Sequence, residues 1–230
     1  MLKPRETLDR QIHQLQDEIL LLGSMVEQAM LGAMDALKRH DIQASRRIYK
    51  DDELINEKRF ALENGILITI ATQQPIAHDL RLLAAMLEVI TELERIGDYA
   101  KGNAKVNTLL KDTIPPNCLR DLEQMCELAI SILHRALTAF INVNAKEASQ
   151  IPHQDDEVDS LYIQVYRSLV RYAINNPTMI DDSNYLMWVA HNLERTADRA
   201  INICERTVFI ETGELLEFET GDEEGETDFG

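Results

Sequence analysis

Between Pro4 and Pro75 the chain contains no proline, and its N-terminal stretch repeats one spacing. Apolar or small side chains fall at Leu8, Ile12, Leu15, Ile19, Leu22, Val26, Ala29, Ala33 and Ala36, in alternating steps of four and three. A stripe of that period marks a long α-helix packed nearly parallel to its neighbours. A helix from about Arg5 to His40 would be about 50 Å long at ~1.5 Å per residue. A second unbroken seam follows at Leu119, Leu122, Cys126, Ala129, Leu133, Ala136, Phe140 and Val143. Two such seams in one chain predict an all-α fold without strands.

The remaining segments fall into place around these two helices. Asp41 is an expected N-cap for a second helix over 42–72, whose apolar stripe is read as Ile48, Leu54, Phe60, Ile66 and Ile70. Gln73-Gln74-Pro75 ends it, since proline cannot continue a helix, and Pro75 suits the first turn of a third helix reaching about Leu110. That helix is apolar at Leu80, Leu83, Leu87, Ile90, Leu93 and Ile96. Thr113-Ile114-Pro115-Pro116-Asn117 is the clearest boundary, and after it the layout starts again. Ile151-Pro152-His153 breaks the fourth helix, a fifth runs over 154–174, Asn175-Asn176-Pro177 echoes Gln73-Gln74-Pro75, and a sixth ends near Ile210. The expected architecture is a tandem repeat of two antiparallel three-helix bundles, residues 1–113 and 117–213, with six long helices. Residues 214–230 are acidic and glycine-bearing and are read as a disordered tail that folding does not need.

The repeat carries a motif. Leu93-Glu94-Arg95-Ile96-Gly97-Asp98 returns one hundred residues later as Leu193-Glu194-Arg195-Thr196-Ala197-Asp198. Each copy sets two carboxylates at i and i+4, on one face of a helix about 6 Å apart. Asp222/Glu226 has the same spacing in the tail, so spacing alone says little; repetition inside a duplicated half-chain says more. The preceding helices add Asp52 with Asn56 in the first half and Asp155 with Asp159 in the second. In antiparallel hairpins these face the motifs, so three or four carboxylates converge on each patch. Such a patch needs raised proton affinity, neutralisation by Arg95 and Arg195, or bound cations. Oxygen-only donors favour Mg²⁺, Ca²⁺ or Mn²⁺, with iron also open. Gly97 and Ala197 leave room for close approach at matching positions.

Other chemistries are poorly represented. The net charge is −17, and eight acids with no base lie in 212–230, so nucleic acid is not an expected partner. Three cysteines, Cys118, Cys126 and Cys204, read as reduced, packed thiols, and no apolar run long enough for a bilayer span is evident, which points to a cytoplasmic protein without direct membrane insertion. None of the six histidines follows a Glu by three residues, as di-iron bundles require, and His191 is read as a packing or hydrogen-bonding residue. Met187 and Trp188 are read as core. No nucleophile–base arrangement or phosphate loop is present. A non-enzymatic binding protein is the first reading; a carboxylate-bridged hydrolase is the alternative.

These motifs resemble the PhoU family of phosphate-transport regulators. The resemblance rests on the two Leu-Glu-Arg motifs, on Gln74-Pro75-Ile76-Ala77-His78-Asp79-Leu80-Arg81, and on Phe209-Ile210-Glu211-Thr212-Gly213. It implies a pair of three-helix bundles, a homodimer, and multinuclear metal clusters. It also implies a cytoplasmic adaptor between the ATPase subunit of a phosphate ABC transporter and a sensor histidine kinase, restraining phosphate-starvation signalling. Carried over, the implied metal ligands are Asp52, Glu94 and Asp98, then Asp155, Asp159, Glu194 and Asp198. The implied ions are divalent or trivalent: iron, zinc, manganese or magnesium. Asn56 in place of an acid, and Gly102 where the second half has Asn202, predict a weaker first site.

Overall fold

The computed structural model describes residues 4–111 and 114–218. Six long helices carry the fold: α1 (Pro4–Lys38), α2 (Ile42–Gln73), α3 (Ala77–Asn107), α4 (Pro116–Ile141), α6 (Asp155–Asn175) and α7 (Ile180–Thr212). A single helical turn, α5 (Ala145–Ala148), follows α4, and no strand occurs among the described residues. The all-α tandem architecture is as the seams require.

Both seams face the core, with Ala29, Leu119 and Val143 only partly buried. Leu8, Ile12, Leu15, Ile19, Leu22 and Val26 line the core in α1, as do Leu122, Cys126, Leu133 and Phe140 in α4. The two helices run antiparallel across the halves: Gln16 donates to the Ile141 carbonyl at 3.2 Å, and Lys38 pairs with Glu123 at 2.6 Å. Gly23 permits their close approach, since a Cβ there would lie 2.5 Å from Leu137 Cδ1. α1 is long and apolar enough by composition to cross a bilayer, with mean hydropathy 1.3 over its most apolar window. Its apolar seam is instead spent inside the bundle.

α3 and α7 form the centre. They too are antiparallel, tied by Asn192 donating to Asn103 Oδ1 at 2.8 Å, Asn202 donating to Glu92 at 3.3 Å, and Arg206 pairing with Glu88 at 2.9 Å. α2 packs on α3 and α1 on one flank, while α6 packs on α7 and α4 on the other. The two acid motifs therefore sit back to back, each facing outward toward its own flanking helix.

Several details differ from expectation. In α2 the buried residues are Ser45, Asp52, Ile55, Leu62, Ile66 and Thr69, whereas Leu54 and Phe60 are exposed. Steps of six residues rotate around a helix by about 240°, so the stripe drawn through Leu54 and Phe60 was never one face. The true stripe has a carboxylate, Asp52, at its middle. Trp188 is 60% exposed because Leu186, Val189, Ala190 and Leu193 take the inward face of α7. Pro75 lies outside α3, which begins after Ile76. Of the tail, residues 214–218 are described: Phe218 packs on the core and its N–H donates to Glu205 at 2.8 Å, so this part docks; residues 219–230 lie outside the described residues. All three cysteines are buried and free.

Candidate metal centre

In the first half α2 presents Asp52 and α3 presents Glu94 and Asp98. Asp52 is 4% exposed because it occupies a core position of the α2 stripe. Gly97 lets α2 come close: a Cβ there would stand 3.2 Å from Ile55 Cγ2 and 3.8 Å from Asp52 Oδ1. The three acids feel one another. Glu94 titrates above its ordinary range through burial first, then the charges of Asp98 and Asp52, against Arg59. Asp98 is raised by burial and by Asp52, against Lys101. Asp52 Oδ2 accepts from Lys101 Nζ at 2.7 Å and from Asn56 at 3.1 Å. Asn56 is thus a donor to the acid, not a stand-in for a missing one.

The second half repeats the placement. Asp155 opens α6 and is 2% exposed, with Val158 buried beside it as Ile55 is beside Asp52. Asp155 and Asp52 are therefore equivalent by burial. Burial, together with the charges of Asp159, Asp198 and Glu194, pushes the Asp155 carboxyl up to about 8. Both of its oxygens are buried and lack a hydrogen-bond partner. Arg195 pairs with Asp198 at 2.9 Å, and His191 Nδ1 lies 3.3 Å from Glu194. His191 is thus a half-exposed neighbour of the site, against Tyr162 at 6.3 Å between rings.

All seven sequence-predicted carboxylates therefore fall into two clusters, one per half. Their side chains do not form a finished coordination sphere: among the described residues no group of three His, Cys, Asp or Glu is gathered tightly enough to hold an ion. Like charges stand apart when nothing binds them together. The second cluster nonetheless fits a hard cation, because Asp155 offers two buried, unpartnered oxygens among further carboxylates, a demand that a proton or a cation meets. Asp155, Asp159, Glu194 and Asp198 would hold it, and the ion would supply positive charge that bridges α6 to α7. Asn202, expected near the ligands, faces α3 instead and donates to Glu92.

The other repeated signals prove to be fastenings. Gln74 caps α2 in the left-handed region at φ 49°, and Asp79 pairs with Arg5 of α1. Arg81 donates to the Ile210 carbonyl at 3.0 Å and lies beside Gly213, whose φ of 79° ends α7. The Gln74–Arg81 motif and the Phe209–Gly213 motif are one contact seen from two ends.

A sequence model of the PhoU domain matches residues 19–106 and again 122–207. The chain belongs to the PhoU family. Its relatives include the phosphate-specific transport system accessory protein PhoU homolog of Clostridium acetobutylicum, 30% identical over 93% of this chain and 98% of that protein. The homolog of Streptococcus pneumoniae is 32% identical over 93% and 99%. The crystal structure of the phosphate transport system regulatory protein PhoU from Streptococcus pneumoniae superposes with TM-score 0.85 at 30% identity, covering 92% of this chain and 100% of that one. PhoU from Pseudomonas aeruginosa gives 0.83 at 26%, covering 90% and 99%. Coverage this complete means that both repeats belong to the shared architecture.

Sequence reading missed the side chains that surround the first cluster, Lys101, Arg59 and Tyr49, while His191, read as a hydrogen-bonding residue, lies 3.3 Å from Glu194. For Lys101 a signal existed. It stands three residues after Asp98, where the second copy has Ile201.

Proposed function

We propose that this PhoU-family protein is an accessory regulator of a phosphate-specific transport system, acting by binding rather than catalysis. A cation between α6 and α7 is part of its working form. The observation that carries the cation is Asp155, buried with two unpartnered oxygens beside Asp159, Glu194 and Asp198. A charge so placed costs several kcal/mol unless it is compensated. Iron, zinc, manganese and magnesium are the ions to test.

In this reading the protein works in the cytoplasm as a homodimer. It contacts the ATPase subunit of the phosphate ABC transporter and a phosphate-sensing histidine kinase. The names of the relatives support the transport role, and the fold supplies long exposed helical faces on which such partners can dock.

Two measurements test it. Elemental analysis of protein purified without an affinity tag should find metal, and Glu194→Gln with Asp198→Asn should abolish most of it; unchanged metal content removes the ligand assignment. Affinity capture from phosphate-replete cells, read by mass spectrometry, should recover the transporter ATPase and the kinase. Recovery of neither defeats the adaptor role.

A further inference from the structure

The two acid clusters differ at the buried aspartate: in the first a cation lies directly against Asp52, whereas in the second Arg195 pairs with Asp198 and leaves both Asp155 oxygens without a hydrogen-bond partner. Lys101 Nζ lies 2.7 Å from Asp52 Oδ2 and 3.8 Å from Asp98 Oδ1, and sits 5.4 Å from the centre of the Tyr49 ring. The ammonium is held by one close carboxylate, a second at longer range and an aromatic face. The remaining Asp52 contact, from Asn56 at 3.1 Å, saturates the same oxygen. The adjoining cleft, about 250 Å³, has an apolar wall of Met25, Ile48, Leu54 and Ile55 and a polar side of Gln28, Asp51 and Asp52, into which Lys101 reaches. At the matching position of the second half stands Ile201, and Asp155 has no comparable partner.

We propose that Lys101 is the built-in counter-ion of the first cluster, so that this protein takes metal only at Asp155, Asp159, Glu194 and Asp198. The inference rests on the cation reading above and narrows it to one half. The physical ground is competition at the buried aspartate: a metal reaching Asp52 must displace an ammonium already bound to it, whereas no hydrogen-bond partner has to leave Asp155. The tethered ammonium acts at high effective concentration, whereas the free ion must come from solution. The α2–α3 contact is then constitutive, and only the α6–α7 contact responds to metal supply. Sequence symmetry hides a division of labour between a fixed half and a responsive half.

The test uses the full-length, tag-free protein stripped with chelator and reloaded with manganese, in five forms: unaltered, Asp155→Asn, Asp52→Asn, Lys101→Ile and Lys101→Gln. Bound manganese and the manganese-induced rise in melting temperature are read for each, with helicity by circular dichroism. Expected results are loss of binding in Asp155→Asn and retention in Asp52→Asn. Removal of Lys101 should raise bound manganese by about twofold, since a second set of deprotonated ligands becomes available. The gain should disappear when Asp52→Asn is added. If Lys101→Ile is poorly folded without metal, manganese should restore its helicity, and Lys101→Gln keeps a polar group at the position as a milder form. Manganese lost equally from Asp52→Asn and Asp155→Asn overturns the inference and leaves the cation reading standing. So does an unchanged metal content in both Lys101 variants. No manganese in any form overturns both.

Discussion

Asp52 and Asp155 are each the buried carboxylate of their half, 4% and 2% exposed, and each faces a Glu-x-x-x-Asp pair on the neighbouring helix. Around Asp52 the fold supplies Lys101 and Asn56; around Asp155 it supplies more acids. Arg195 pairs with Asp198 rather than with Asp155, so the same backbone solution holds the buried aspartate in two different electrostatic settings. Gene duplication can copy helices and spacing, but the charge balance of a site turns on single positions such as Lys101 and Ile201. Repeats in sequence need not be repeats in chemistry.

The comparison can be broken first at the shared core. Leu93 and Leu193 are fully buried at equivalent places on the central helices. Either one changed to Ala should cost about 2–5 kcal/mol. Because α3 and α7 pack on each other, urea unfolding of both variants should remain a single transition. Two transitions would show that the halves fold separately.

The next largest effect separates the halves. Without metal, Lys101→Ile leaves Asp52 buried and unpaired and should lower stability by about 2 kcal/mol, discounted because Lys101 is partly solvated. Asp155→Asn should act in the opposite direction in metal-free protein, raising the melting temperature at pH 8. Its sign follows from linkage. Unfolded aspartates titrate near ~3.9, whereas burial and neighbouring charges hold folded Asp155 near about 8. The folded state therefore binds that proton more tightly. The stabilisation is complete below about pH 4 and is lost as pH rises through about 8. Melting temperature in chelator should fall between pH 5 and pH 8, and Asp155→Asn should flatten that slope. A slope unchanged by the substitution would show that Asp155 is not the group responsible.

Smaller effects probe the ends of the central helices. Gly213→Ala forces a side chain into the left-handed region at φ 79° and should cost about 1 kcal/mol, whereas α3 ends at Thr108 in ordinary helical geometry and has no such sensitivity. Ending the chain after Leu216 removes the Phe218 contact and should lower the melting temperature by roughly 2–4 °C. No change would restore the view of the tail as dispensable.

Most of the fold was legible in the residues themselves. The two seams, Asp41 as a cap, the boundaries at Pro75, Pro115-Pro116 and Pro177 and the paired acid motifs follow from period and local backbone preference, which act over a few residues, whereas α4 ends at Ile141, ten residues before the break expected at Ile151-Pro152. The placement of the acid motifs opposite Asp52 and Asp155 was likewise legible, because equal spacing on equal helices brings equal residues to equal places. What tertiary structure alone decided was the company those residues keep. It placed Asp52 in the buried stripe, turned Trp188 and Phe60 outward, joined Arg81 to the end of α7, and set Lys101 against Asp52. Periodicity fixes which face of a helix is apolar; the charge state of a buried carboxylate depends on atoms from other helices within a few ångströms, and only packing determines which atoms those are.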